Sequence, residues 1–169
     1  MAETVKKLER SALAHYLDTN FDTASESPAW FLIGKHVADM SVNLNPQSET
    51  VKNILDETSV IDNGYEPGID VDTYYADPSD GAFYEKMKDI AMNRLTGDAC
   101  KTYLLEVLID KTTGPYDAWM EEVIVKPQSY GGAQGGVRIP YNIKFNGNRR
   151  KGTVTIVDRV PTFTETAES

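Results

Sequence analysis

Few residues in this chain are of a type and spacing to do chemistry. His15 and His36 are the only histidines, a Pro-bearing loop separates them, and neither sits in a cluster of ligand types, so each reads as a structural histidine and not a metal ligand or general base. Asp70 and Asp72 in "IDVD" share a strand face, but a hard cation needs six or more oxygens and the sequence supplies no further carboxylate, so a solvated acidic face is the expectation. "DPSDGAFYEKMK" is only superficially a calcium loop: Lys88 stands where the closing glutamate belongs. "GGAQGGV" leads into a strand, whereas a phosphate cradle feeds a helix N-terminus. Cys100 is the single cysteine, which excludes an internal disulfide and a four-sulfur zinc site and reads as a buried thiol. No "GxSxG", "HExxH" or "CxxC" occurs. The expectation is that the chain is not an enzyme and takes no cofactor and no metal.

Composition points the same way. The chain has 169 residues with 40% apolar content, enough to bury one core, and no run of eighteen apolar residues, so no membrane anchor is expected. The formal net charge of −9 disfavours gripping phosphates. Against that balance the cluster Arg149, Arg150 and Lys151 reads as a charged hairpin tip that meets an acidic partner surface or prevents wrong edge pairing.

The elements that must position these residues are mostly strands. Residues 1–27 have mixed periodicity and read as an N-terminal arm. From Trp30 to Asn45 one strand is expected, bent near Gly34, pairing antiparallel with "IDVDTYY". Residues 46–68 between them are polar and turn-rich, too long for a routine turn and therefore functional or disordered. The one clear helix spans 77–96: Asp77 is the N-cap, Pro78 the first helical residue, Phe83, Met87, Ile90, Ala91 and Leu95 form one stripe, and Gly97 is the stop. "KTYLLEVLID" and "YDAWMEEVIVKP" read as a hairpin around "KTTGP". A second hairpin is expected over 137–156, turning at "NGNRRKG", with Val137, Ile139, Tyr141, Ile143 and Phe145 inward. Residues 161–169 read as a polar tail. The fold class is thus mainly β (α+β), an antiparallel β-sandwich or barrel with one packed helix over residues 28–160. So little helix leaves much sheet to be covered by solvent, another sheet or another copy.

The order of three segments resembles the major tail (tail tube) protein of long-tailed bacteriophages: "WFLIGKHVADMSVNLNPQSETVKNILDETSV", "NGYEPGIDVDTYYADPSDGAFYEKM" and "GTVTIVDRVPTFT". The likeness runs from about Trp30 to Thr164. It implies a structural virion subunit of the tail-tube and haemolysin-coregulated-protein-like fold, whose strands complete a hexameric inner β-barrel. Rings stack into a tube and DNA passes through the lumen without specific binding during ejection. The implied partners are other copies of the chain, a tape-measure protein, and tail initiator and terminator proteins. By position, residues 46–68 correspond to an inter-ring loop, with Val51, Ile54, Leu55, Val60 and Ile61 as its anchors. Asp70, Asp72, Asn142 and Lys144 become lumen candidates, and Arg149, Arg150 and Lys151 a subunit-interface tip. The competing expectation is a β-sandwich module that binds a ligand or protein through Tyr74, Tyr75, Trp119 and Tyr130.

Overall fold

The computed structural model describes residues 7–24, 26–34, 37 and 39–166; His36 lies outside them. The strands are β1 (Leu13–Asp18), β2 (Trp30–Ile33), β3 (Val42–Asn43), β4 (Pro46–Lys52), β5 (Thr58–Tyr65), β6 (Gly68–Val71), β7 (Lys101–Leu108), β8 (Tyr116–Pro127), β9 (Tyr141–Phe145), β10 (Arg150–Val157) and β11 (Val160–Glu165), with the helix α1 (Ala82–Asn93) between β6 and β7. The fold is mainly β, a curled antiparallel sheet with one helix. The nine-stranded sheet runs β2-β1-β7-β8-β9-β6-β3, with β10 on part of β8 and β11 outside it; β4 and β5 form a separate two-stranded sheet.

β7 and β8 are central because both their faces find cover. β7 alternates Leu104 toward one face and Leu105 and Val107 toward the other, all buried. On the first face α1 sets Phe83, Met87 and Ile90 against Leu17, Leu104, Val123, Val125 and Ile143. The rings of Phe31 and Phe83 stack there at 4.3 Å. On the second face the curl of the sheet encloses Tyr16, Leu105, Val107, Ala118 and Val154, flanked by Trp30 and Phe163.

Several expectations need correction. Within the arm expected over residues 1–27, of which 1–6 and 25 lie outside the described residues, Leu13–Asp18 form a strand: β1 pairs with β2 on one side and β7 on the other, and His15, Tyr16 and Leu17 are buried. The strand expected over Trp30–Asn45 is two strands at opposite edges of the sheet, β2 ending before Gly34 and β3 pairing Val42 with Ile69. The helix is shorter than 77–96. Asp77 accepts the Ser79 amide at 2.9 Å to cap a 3-10 turn over Pro78–Asp80; α1 itself begins after Gly81 and stops at Arg94, whose φ of 53° is left-handed.

The hairpin expected over 137–156 does not exist as a pair. β9 and β10 do not bond to each other; both are antiparallel to β8, Phe145 facing Val123 and Arg150 facing Met120. Residues 146–149 form a bulge with Gly147 and Asn148 at positive φ. Val137 precedes β9 and is 53% exposed, whereas Ile139, Tyr141 and Ile143 are buried. The real turn comes later, at Asp158–Arg159, both at positive φ between Val157 and Val160, as a two-residue hairpin loop demands. The expected tail from residue 161 is therefore largely β11, held by Pro161 and Phe163 packing on β10; residues 167–169 lie outside the described residues.

Candidate assembly surfaces

Residues 46–68, expected as a loop, are an arm. β4 and β5 pair with each other and with no other strand, from Ser48 opposite Asp62 to Lys52 opposite Thr58, after a bulge where Gly64 takes a φ of 87°. The arm's tip is built, not loose. The Asn53 side-chain oxygen accepts the amides of Leu55 at 2.9 Å and Glu57 at 3.0 Å, and Asp56 adopts a left-handed φ of 63°. The base is clamped as well: the Glu66 amide donates to the Asn45 carbonyl at 3.3 Å, and the Asn45 side chain donates to the Glu66 carbonyl at 3.1 Å.

This geometry brings the five apolar candidates onto one projecting element. Val51 and Ile61 share one face of the arm, Val60 lies on the other, and Ile54 and Leu55 crown the tip at 99% and 71% exposure. A two-stranded ribbon is marginal in water by itself, and an apolar tip on one costs solubility unless something covers it.

The second set of candidates lies on the sheet face turned away from α1. Asp70 sits directly opposite Asn142 and Lys144 opposite Gly68; Lys126, paired with Asn142, carries its ammonium to the Leu95 carbonyl at 2.9 Å, just past α1. The side chains of Asp70 and Lys144 are exposed and that of Asn142 is half-buried. Asp72 follows beyond the end of β6 and lines a separate cavity of about 230 Å³ with Tyr130 and Arg138. This face carries both signs of charge, and no cluster of metal-ligating side chains exists among the described residues.

The basic cluster is split by the strand alternation. Arg149 folds back to donate to Glu106 at 3.0 Å and Glu121 at 3.1 Å, with the Trp119 ring 5.9 Å away. Arg150 turns to the other face over the Tyr103 ring, its guanidinium 3.6 Å from Glu165. Only Lys151 remains exposed without an ion pair among the described residues.

The Arg149 network was not read from the sequence, since its members are far apart in the chain. His15, 1% exposed, stands 3.6 Å from Glu106, and Glu121 also accepts the Gly147 amide at 3.2 Å. Burial opposes ionisation of Glu106, but His15 and the Arg149 charge outweigh it and hold the carboxyl below the usual glutamate range. A group depressed in this way stabilises the fold above its unfolded pKa, and the contribution is lost as pH falls through the lower folded value. Arg149→Ala is therefore expected to cost about 2 kcal/mol at pH 7, discounted for the part-exposed guanidinium. The gap from wild type should close below the ordinary glutamate range; urea titrations at pH 7 and pH 3 test this, and an equal gap at both would refute it.

The aromatic platform of the binding-module reading is not assembled. Tyr74 is buried, its hydroxyl donating to Asp80 at 2.7 Å and its ring edge-on to Phe83, while Tyr75 and Tyr130 are exposed. Burial, and then Asp80, push the Tyr74 hydroxyl far above its ordinary pKa. Cys100 is buried, its thiol 3.3 Å from the Leu95 carbonyl.

Two solved structures share this architecture. The tail tube of phage SPP1, a hybrid solid-state NMR and cryo-EM structure, aligns over 90% of this chain and 82% of its own with a TM-score of 0.61 at 16% identity. The tube-terminating cap of the anti-feeding prophage, from cryo-EM, aligns over 90% of this chain and 95% of its own with a TM-score of 0.51 at 10% identity. The fold is that of phage tail tubes. No protein-family model and no curated protein sequence matches the chain.

Proposed function

We propose that this chain is a structural subunit of a phage tail tube, forming stacked hexameric rings around a lumen that conducts DNA during ejection. The observation that carries the reading is the β4–β5 arm: a private hairpin with a preformed turn and an apolar tip, on a body of tail-tube fold. In an assembly that tip would be buried on the adjoining ring, which supplies the cover it lacks in the single chain.

The face away from α1 would line the lumen, with Asp70, Asn142 and Lys144 among its residues. Its mixed charges suit a wall past which phosphates slide, since a uniformly basic wall would hold them. Closure of the sheets of six copies would cover the free edges of β2 and β11, which in the single chain pair on one side only. In this reading the subunit is a virion component with no catalytic role, and a tape-measure protein and initiator and terminator proteins set where the tube starts and stops.

Negative-stain micrographs of the concentrated chain are expected to show rings or tubes with an axial channel. A monodisperse monomer at high concentration, unresponsive to tape-measure and initiator proteins, would sink the reading.

A further inference from the structure

The curl of the sheet leaves a groove of about 640 Å³ between the start of β2 and the edge strand β11. Its apolar walls include Trp30 and Phe163, and its charged lining is Asp18, Glu26 and Glu165 against the single cation Arg150. Two buried polar atoms here have no partner. Asp18 is 1% exposed; one carboxylate oxygen accepts the amides of Asn20 and Ala29, each at 3.0 Å, and the other, Oδ2, accepts nothing. Nε of Arg150 donates to nothing, although its other nitrogens reach Glu165 and Met120. An unpaired acceptor and an unpaired donor, buried on two residues that line one groove, each cost stability until a ligand reaching in from the groove supplies the complement.

A peptide backbone is such a complement, because each residue offers an N–H for Asp18 and a carbonyl for Arg150. The excess of carboxylates requires that the peptide be basic. Residues 1–7 of this chain, "MAETVKK", carry adjacent Lys6 and Lys7 against one glutamate, with Met1 and Val5 as apolar anchors. We propose that this groove receives the N-terminal segment of a second copy, its backbone meeting Asp18 and Arg150 and its lysines meeting Glu26 and Glu165. The inference rests on the tube-subunit reading only in taking the partner to be another copy.

The chain's two tryptophans are Trp30 and Trp119, so Trp119→Phe leaves Trp30 in the groove as a reporter. In the 169-residue chain on that background, Trp30 emission is expected to shift with concentration, in step with self-association by sedimentation. Lys6→Glu/Lys7→Glu should raise the midpoint by about tenfold or more, and adding Glu26→Lys should recover at least about threefold of it. Asp18→Asn should weaken association while circular dichroism shows the fold intact; should that variant not fold, the lysine variants still decide. Association of Lys6→Glu/Lys7→Glu at the wild-type midpoint, no recovery on adding Glu26→Lys, or loss of the Trp30 shift without change in sedimentation, as an intrachain occupant would give, overturns the proposal. Tubes from the lysine variant at wild-type concentration would refute the groove and leave the tube reading standing. A Trp30 shift with no tubes at any concentration would do the reverse.

Discussion

Ile54→Asp/Leu55→Asp is expected to abolish tube growth while leaving the thermal midpoint of the subunit unchanged within about 1 °C. Both side chains project from the arm's tip and contribute nothing to either apolar cluster, so the folded body loses no packing. In the proposed assembly each is worth about 2 kcal/mol on burial, so their loss raises the concentration needed for one contact by roughly three orders of magnitude. A ring of six copies multiplies the deficit. The buried aspartates add a desolvation cost of their own. The turn survives, because Asn53 supplies its hydrogen bonds and residues 54 and 55 are not required for them beyond the backbone. Electron microscopy and sedimentation read the result. Tubes from this variant at wild-type concentration would remove the arm from stacking, and a lowered midpoint would mean that the tip packs on its own body.

Gly152→Ala is the substitution expected to damage the subunit most. Gly152 lies in β10 between Ala118 of β8 and Glu165 of β11, and a Cβ there would collide with the Thr164 carbonyl oxygen and the Phe163 ring. The ring fills the space that a side chain would take, a glycine covered by an aromatic from the neighbouring strand. Accommodating a methyl group means moving the β11 backbone, which breaks its ladder and uncovers the cluster around Val154. The cost is about 3 kcal/mol, or a midpoint lowered by roughly 10 °C in a chain of this size. Calorimetry measures it. An unchanged midpoint would show that β11 is held loosely, which would also undermine the groove it walls.

The sequence was most legible where alternation came with burial. β7 and β8 each bury residues on both faces and flank a Gly-Pro turn, and their hairpin is found where the pattern places it. The stripe of Phe83, Met87 and Ile90 likewise identified the helix, although Asp77 capped a separate turn and the Gly97 stop was overtaken by Arg94. Alternation specifies a face and not a partner, which is why the pattern alone pairs β9 with β10 although β8 is long enough to take both. The arm was invisible as structure for the opposite reason: nearly all its side chains are solvent-exposed, so neither of its strands carries an apolar period, yet its exposed apolar residues were still recognisable as out of place. The turn at Asp158–Arg159 lacks the glycine that usually announces its type. The ionic network around Arg149 joins β1, β7, β8 and the bulge before β10, and no local spacing encodes such a convergence.

β8 bonds along its length to β7 on one side and divides its other side between β9 and β10. The helix-covered cluster and the curl-enclosed cluster therefore share one ribbon, and neither can melt without exposing a row of amides belonging to the other. The body is thereby a single cooperative unit, while the arm, outside that ladder, can fray or be cut without unzipping it. Cleavage within the arm is therefore expected to leave the unfolding transition of the body in place.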